Sequence, residues 1–181
     1  RAPAAARAAE GEEAPVTADE IRAHIDPIRD RFAEERSLVL PALKFAQTEK
    51  GWLSGEDIAA VAEAVNLTTA DVESVASFYD RLYLRPTGTR VVSVCVTLSC
   101  MLRGSDELMA ALCEAEGLGP HGGTAGDGAV TIQEAQCLGY CDRAPCVQVD
   151  AEETRGPLSP DDAAPLLEEL RAAARPERLW R

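Results

Sequence analysis

Residues 90–100 read RVVSVCVTLSC. A valine-rich run ends at Cys95, and a second cysteine, Cys100, follows five residues later. Runs of β-branched residues of this length are typical of strands. The stretch predicts a strand over 90–95, with Cys95 at its end and Cys100 in the segment that follows. Because a strand needs neighbours, this half of the chain is expected to form a sheet with two thiols at one edge.

A second cysteine pair follows a second predicted strand. Residues 129–135 (AVTIQEA) alternate as a half-buried strand does, and the C-x3-C pair Cys137 and Cys141 comes directly after them. If this strand lies beside 90–95 in one sheet, both pairs emerge at the same edge and their four sulfurs converge. Residues 146–150 (CVQVD) are predicted to form a further strand.

The segment before the cysteines has helical periodicity. Thr17 and Glu20 have the spacing of a capping box, and the helix that they begin is disturbed at Pro27. A second helix is predicted over 37–49 and ends at Gly51. The residues expected to cap the third and fourth helices are Ser54 and either Thr68 or Thr69.

The chain changes character near residue 82. Residues 82–86 (LYLRP) are predicted to be a strand that a turn joins to the 90–95 strand. Residues 103–116 return to helical spacing, and Ser159 followed by Pro160 predicts the start of a last helix. The fold class is therefore α+β. Its predicted parts are a disordered N-terminal tail (1–16), a helical bundle (17–81), a second domain (82–174) and a C-terminal tail (175–181).

Composition excludes several classes of function. The formal net charge is −13, which argues against nucleic acid and anionic membranes as partners. No stretch approaches the roughly 20 apolar residues of a membrane span, so no membrane insertion is expected. The N-terminal residues lack the hydrophobic segment of a signal peptide, which predicts a cytoplasmic chain with reduced thiols.

Reduced thiols in two short pairs leave three alternatives. Zinc takes four tetrahedral thiolates, and a C-x4-C spacing is at the edge of its usual range. A [2Fe–2S] cluster also takes four thiolates, and C-x4-C occurs in plant-type ferredoxins. A thiol–disulfide pair at Cys137 and Cys141 would need a lowered thiol pKa, but no His or Lys is adjacent to lower it. Cys113 and Cys146 are interpreted as structural, although Cys146 could substitute as a ligand or form a disulfide.

A four-thiolate cluster is an anion and needs nearby N–H donors. Small or flexible residues around the cysteines are expected to supply them: Thr97, Ser99, Gly104 and Gly139. His24 and His121 are far from the cysteines in sequence and are expected to face solvent rather than bind metal.

Residues 75–100 (VASFYDRLYLRPTGTRVVSVCVTLSC) with 137–150 (CLGYCDRAPCVQVD) resemble the thioredoxin-like [2Fe–2S] subunit of NADH:quinone oxidoreductase, the small iron–sulfur subunit of complex I's NADH-oxidising module. The resemblance runs from about residue 20 to 172 and includes PAL…GW (41–52) and SFY (77–79). It departs at Cys146, where an aliphatic residue is expected, and at 149–160, which lacks the expected hairpin residues.

The resemblance implies a helical bundle followed by a thioredoxin-like domain that binds one [2Fe–2S] cluster through Cys95, Cys100, Cys137 and Cys141. It implies a partner subunit that binds FMN and NADH, and further iron–sulfur subunits of the peripheral arm. The implied role is one-electron exchange with that FMN, without bond chemistry on this chain. The implied location is the bacterial cytoplasmic face of the inner membrane, through the complex, rather than the mitochondrial matrix.

The negative charge of the chain predicts a low reduction potential, since it opposes addition of an electron. The host complex is less well defined. The same module occurs in NAD-linked formate dehydrogenases and NAD-reducing hydrogenases, which the sequence does not separate from the respiratory enzyme. A zinc-stabilised structural subunit is the alternative from a different class.

Overall fold

The computed structural model describes residues 14–173, which divide into two compact units, residues 14–86 and residues 87–173. The predicted tails lie outside the described residues, except for residues 14–16. Helices make up the first unit, while the second combines helices with a sheet, so the predicted α+β class is confirmed. Within residues 14–173 no helix is both long and apolar enough to cross a lipid bilayer.

The described part of the first unit contains four α-helices. They are α1 (Ala18–Ile25), α2 (Val39–Lys50), α3 (Gly55–Ala64) and α4 (Thr69–Phe78). The predicted disturbance at Pro27 takes the form of a 3₁₀ segment, Asp26–Arg31, that replaces the end of the first helix. Proline has no N–H to donate within a helix, which explains why regular α-helix stops there.

The predicted helix caps of this unit are confirmed, while α2 begins at Val39 instead of at residue 37, because residues 35–38 form a 3₁₀ turn. Thr17 and Ser54 form capping boxes with Glu20 and Asp57, and the Thr68 hydroxyl accepts a hydrogen bond from the first turn of α4. Gly51 ends α2. The helices enclose one apolar core, in which the largest fully buried side chains are Ile21, Ile25, Leu38, Leu43 and Leu53. Burial of each such side chain contributes roughly 1.5–3 kcal/mol.

The prediction of a strand over 82–86 is wrong. This segment is irregular, and its backbone groups bond to the helical unit instead of to a sheet. The Tyr83 N–H donates to Oε1 of Gln47 at 2.6 Å, and its carbonyl accepts from the Leu53 N–H at 2.7 Å. Gln47 is fully buried and also donates to the Arg81 carbonyl at 2.8 Å. The Gln47 side chain and the Leu53 backbone therefore satisfy the Tyr83 groups that a neighbouring strand would have paired.

The second unit is a five-stranded sheet with helices. Its elements are β1 (Arg90–Cys95), α5 (Leu98–Met101), α6 (Ser105–Ala115), β2 (Gly123–Thr124), β3 (Val130–Ala135), β4 (Val147–Val149), β5 (Glu153–Arg155) and α7 (Ala163–Ala172). The strand order is β2-β3-β1-β4-β5. The predicted strands over 90–95, 129–135 and 146–150 are confirmed to within a residue at each end, whereas the short edge strands β2 and β5 were not predicted.

Strand register places both cysteine pairs at one edge of the sheet. β1 and β3 are parallel, and Cys95 at the end of β1 lies opposite Ala135 at the end of β3. Cys100 and Cys137 follow these two ends, so the predicted common edge is confirmed. β4 is antiparallel to β1 and begins at this same edge. Behind the edge, α6 and α7 contribute Leu108, Leu112, Leu166, Leu167 and Leu170 to an apolar core with the central strands.

Candidate metal centre

The first thiol pair lies at the end of β1. Cys95 and Cys100 are both buried, each with 1% of its surface exposed. Cys95 belongs to the sheet, while Cys100 lies on α5, a single helical turn. The Arg103 N–H donates to the Cys100 carbonyl at 3.0 Å and so continues the tight turn beyond this helix. The strand and the turn after it thus hold two thiols at the edge of the sheet.

The second pair lies in the loop between β3 and β4. The sulfurs of Cys137 and Cys141 are 3.6 Å apart, and both residues are exposed. Gly139 between them has φ +74°, in the left-handed region, where a side chain would be strained. Its N–H donates to the Cys137 sulfur. The glycine therefore lets the loop turn tightly enough to bring both thiols together.

Hydrogen bonds connect the two loops around the sulfurs. Oγ1 of Thr97 lies 3.2 Å from Sγ of Cys95 and also hydrogen-bonds the Cys137 sulfur. The backbone N–H of Leu138, in the other loop, donates to Cys95. The Ser99 hydroxyl hydrogen-bonds Cys141. These contacts bring the four predicted ligand residues into one neighbourhood.

The predicted N–H donors are partly correct. Thr97 and Gly139 donate backbone N–H groups to Cys95 and Cys137, as expected. Gly104 does not take this role, because its N–H donates to the Met101 carbonyl at 3.2 Å. Ser99 contributes its hydroxyl. The Leu138 N–H was missed because only the fold brings that residue against Cys95.

The pKa of one thiol in each pair is lowered and that of its partner is raised. Burial opposes ionisation of Cys95, but hydrogen bonds from the Thr97 hydroxyl and N–H outweigh it and lower the pKa. The Gly139 N–H lowers the pKa of Cys137. Burial raises the pKa of Cys100, and the hydrogen bond with Cys137 raises that of Cys141. From the sequence, only an adjacent His or Lys was considered as a cause of a lowered thiol pKa in CLGYC, and the backbone N–H of Gly139, which lowers the pKa of Cys137 without a cation, was missed.

Cys146 also lies in this centre, although the sequence favoured a structural interpretation of it over the ligand role that it left open. The sulfurs of Cys95, Cys100 and Cys146 all lie within 4.8 Å of one another, and Cys100 and Cys146 are 3.8 Å apart. Cys146 is 1% exposed, and burial raises its pKa to about 12. Its position at the start of the predicted strand 146–150 was the signal that could have favoured this contact.

The remaining candidate residues lie elsewhere. Cys113 is buried on α6 within the apolar core, in agreement with its structural interpretation. His24 is exposed and stacks on Phe45, and His121 is exposed and lies 2.9 Å from Glu134. Both histidines therefore face solvent, as expected.

Comparison with known proteins gives a consistent family. The sequence pattern of thioredoxin-like [2Fe–2S] ferredoxins matches residues 25–171. A subunit of the NADH-quinone oxidoreductase of Pseudomonas aeruginosa is 33% identical over 147 residues, which are 81% of this chain and 87% of that protein. A subunit of the NADH-quinone oxidoreductase of Thermus thermophilus is 39% identical over 159 residues, 85% of this chain and 87% of that protein.

A solved structure shares the fold. The chain resembles part of an NAD⁺-reducing [NiFe]-hydrogenase in the H₂-reduced state, with a TM-score of 0.64 and 20% identity. The match covers 75% of this chain and 22% of the hydrogenase chain. At this identity the likeness concerns the fold alone.

Proposed function

The chain belongs to the thioredoxin-like [2Fe–2S] ferredoxin family, and on that premise we propose that it is an electron-transfer subunit of an NADH:quinone oxidoreductase. The proposed ligands of its single [2Fe–2S] cluster are Cys95, Cys100, Cys137 and Cys141. When bound, such a cluster supplies a one-electron carrier. The chain itself performs no bond chemistry in this role.

The observation that carries the proposal is the meeting of two thiol pairs at the ends of adjacent parallel strands. A four-thiolate cluster is negatively charged, so its protein site needs hydrogen-bond donors at the sulfurs. Thr97 and Leu138 supply such donors to Cys95, and Gly139 supplies one to Cys137. The donor set and its thiols therefore fit the family's cofactor.

Sulfur spacing favours two metal ions over one. Two thiolates on one tetrahedral metal, with bonds of ~2.3 Å, are about 3.8 Å apart. Cys137 and Cys141 have this spacing at 3.6 Å, but they are not part of the group of three sulfurs that lie within 4.8 Å of one another. A single zinc ion would require all four of its thiolates to be equally close. The division into two groups supports a two-iron centre.

The two thiol pairs of the centre differ in their exposure to solvent. Cys95 and Cys100 are buried, which protects their sulfurs from water and oxidants, whereas Cys137 and Cys141 are exposed. Three apolar side chains beside Cys100 are also exposed: Leu98 by 66%, Met101 by 47% and Leu102 by 74%. Exposed apolar patches are typical of protein–protein contact sites. The surface next to the thiols thus suits a partner subunit.

The proposed partner is the FMN- and NADH-binding subunit of the same complex, together with further iron–sulfur subunits. Single electrons would be exchanged between that FMN and this chain at the cytoplasmic face of the membrane. Purification of the native complex, followed by assays with quinone, formate and hydrogen, identifies the host enzyme. NADH-dependent quinone reduction is expected. Reduction of NAD⁺ by formate or hydrogen would instead assign the chain to the corresponding dehydrogenase or hydrogenase.

The test of the cofactor uses the chain purified without oxygen. Iron, sulfide and zinc are assayed, and absorption and low-temperature EPR spectra are recorded before and after dithionite. We expect a brown protein with about two irons and two sulfides per chain and a rhombic EPR signal only after reduction. A colourless chain with one zinc would overturn the proposal in favour of a structural site. A colourless, metal-free chain with a Cys137–Cys141 disulfide would favour thiol–disulfide exchange.

A further inference from the structure

The centre contains one more thiol than its proposed function requires. Four thiolates hold a [2Fe–2S] cluster, but Cys146 places a fifth sulfur among the first pair. Its Sγ lies within 4.8 Å of that of Cys95, close to the separation of about 3.8 Å for two thiolates on one tetrahedral metal, and 3.8 Å from that of Cys100. Cys146 therefore has ligand spacing as well as ligand chemistry.

The sheet fixes the position of Cys146. Val94 pairs with Val147, so Cys95 and Cys146 are the next opposed residues, and the Cys95 N–H donates to the Cys146 carbonyl at 3.1 Å. Directly opposed residues in a sheet point their side chains to the same face. Cys146 therefore faces the centre from the same side as Cys95.

The backbone at Gly156 packs closely against residues 143–146, the segment that carries Cys146. A Cβ atom at Gly156 would lie 2.2 Å from the Arg143 carbonyl oxygen and 3.0 Å from Cβ of Cys146. Glycine is needed there because any side chain would push residues 143–146 away. Cys100, in contrast, lies on a single helical turn with exposed apolar neighbours. The close approach of Gly156 therefore keeps the segment with Cys146 against the centre.

We propose that Cys146 is a reserve ligand that replaces Cys100 on the iron at the Cys95 side of the centre. This inference rests on the proposed function, since it concerns the same cluster. In the exchange the Cys146–Fe bond forms and the Cys100–Fe bond breaks, while one proton passes from the Cys146 sulfur to the Cys100 sulfur. The number of thiolate ligands, the total charge and the iron oxidation state are unchanged, so no oxidant or reductant is required.

The simpler interpretation of Cys146 is a small buried side chain that fills space. Its surroundings differ from those of Cys113, which is packed among leucines and other apolar side chains of the main core. Cys146 belongs instead to a small cluster with Cys95, Cys100 and Ala144. The Cys146 N–H also donates to the Cys100 sulfur, so the two residues are in contact through both backbone and side chain. These contacts distinguish the fifth thiol from the sixth.

The test compares removal of Cys100, which Cys146 can replace, with removal of Cys141, which has no such replacement. Cys100→Ala and Cys141→Ala each remove one proposed ligand, and alanine cannot bind iron in its place. The double variant Cys100→Ala/Cys146→Val removes the reserve as well, with the kind of aliphatic residue expected at that position. Each protein is purified without oxygen and assayed for iron, sulfide and the EPR spectrum after reduction. Circular dichroism establishes that each variant is folded.

The proposal predicts that Cys100→Ala retains most of its iron and sulfide, with shifted EPR g-values because the ligand geometry has changed. Cys141→Ala and the double variant are expected to lose iron by roughly tenfold or more. Equal loss in Cys100→Ala and Cys141→Ala would overturn the proposal, as would retention of iron in the double variant. Absence of iron and sulfide from the unsubstituted chain would instead overturn the proposed function itself.

Discussion

Asp57 in the first unit and the cysteine group in the second are both buried polar centres, but their partners are of opposite kinds. The Asp57 carboxylate accepts hydrogen bonds from the Val16 N–H at 3.0 Å and from the N–H and hydroxyl of Ser54 at 2.7 and 2.6 Å. Nζ of Lys50 lies 2.6 Å away. The cysteine sulfurs instead have other sulfurs 3.6–3.8 Å away.

This difference separates a structural site from a binding site. A buried charge is tolerated when donors and an opposite charge surround it, as they do around Asp57. Hydrogen-bond donors also surround the sulfurs, but no positively charged side chain within residues 14–173 pairs with them, and neighbouring thiolates raise one another's pKa because their charges are alike. A cation among them resolves that conflict. The comparison therefore predicts that the first centre contributes to stability and the second to metal binding.

Removal of the Asp57 carboxylate is expected to have the largest effect. Asp57→Ala leaves the ammonium of Lys50 without its partner, although its side chain is only 5% exposed. Loss of one member of a buried ion pair costs about 3–5 kcal/mol. Urea unfolding followed by circular dichroism measures this change. Glu56→Ala, one residue away on the exposed side of α3, is the control and should change stability little. If Asp57→Ala lowered stability as little as the control does, the Asp57 centre would not be a stabilising site.

The pH dependence of the stability of Asp57→Asn tests whether the charged form of Asp57 provides the stabilisation. Burial raises the pKa of Asp57, but hydrogen bonds from Lys50 and Ser54 outweigh it and the pKa is lowered. A carboxyl with a lowered pKa in the folded state stabilises fully above its unfolded pKa of about 3.9. This stability is lost as the pH falls through the folded pKa. Wild type and Asp57→Asn should therefore differ most near neutral pH and converge in acid. A constant difference across this range would contradict the assignment.

Cys137→Ala tests the second centre and is expected to have the next largest effect. Loss of a proposed ligand should reduce iron content by roughly tenfold or more. The control is Cys113→Ala, which makes the same substitution in the same unit but within the apolar core. This control should lose stability, by cavity formation, while its iron content per folded chain is unchanged. Iron and sulfide assays with chemical unfolding separate the two results. Similar iron loss in both variants would show that iron content reports only folding.

Thr97→Val removes the hydroxyl that hydrogen-bonds Cys95 and Cys137 while preserving the shape of the side chain. Hydrogen bonds to cluster sulfurs stabilise the more negative, reduced state. One such bond is worth about 0.5–1.5 kcal/mol, so the potential should fall by roughly 20–60 mV. A potentiometric EPR titration measures this shift, and Thr97→Ser, which keeps the hydroxyl, should restore the potential. A clearly positive midpoint in the unsubstituted chain would contradict the low potential expected from its charge.

The smallest effect is expected for an ion pair on β5, the outermost strand of the sheet. Arg155 on β5 bonds to Glu153 and to Glu169 on α7, at 2.8–3.0 Å. The glutamates are largely exposed, and pairs of this kind contribute about 1 kcal/mol or less. Arg155→Met should therefore lower stability slightly, and the difference should shrink in high salt because ions screen exposed charges. A large loss of stability that does not depend on salt would contradict this, because it would show that the Arg155 ion pair contributes as the buried Asp57–Lys50 pair does.

Local signals in the sequence predicted much of the fold. Thr17, Ser54 and Thr68 cap helices because each hydroxyl accepts a hydrogen bond from the backbone N–H three positions ahead, an interaction that needs no distant partner. The strand at 90–95 was recognisable from its valines. The segment 82–86 misled because its apolar residues fit a strand, whereas Gln47 from a distant helix bonds its backbone.

The sequence by itself determined the α+β class, the order of the main elements and the position of two thiol pairs after two strands. Only the tertiary structure decided that Leu138 donates to Cys95 and that Cys146 lies against Cys100. The physical reason is the range of the interactions. Caps, turns and periodicity act over a few residues, whereas strand register brings together Cys95 and Cys146 across half of the second unit. The number of thiols was readable from the chain, but how many of them share one centre was set by the sheet.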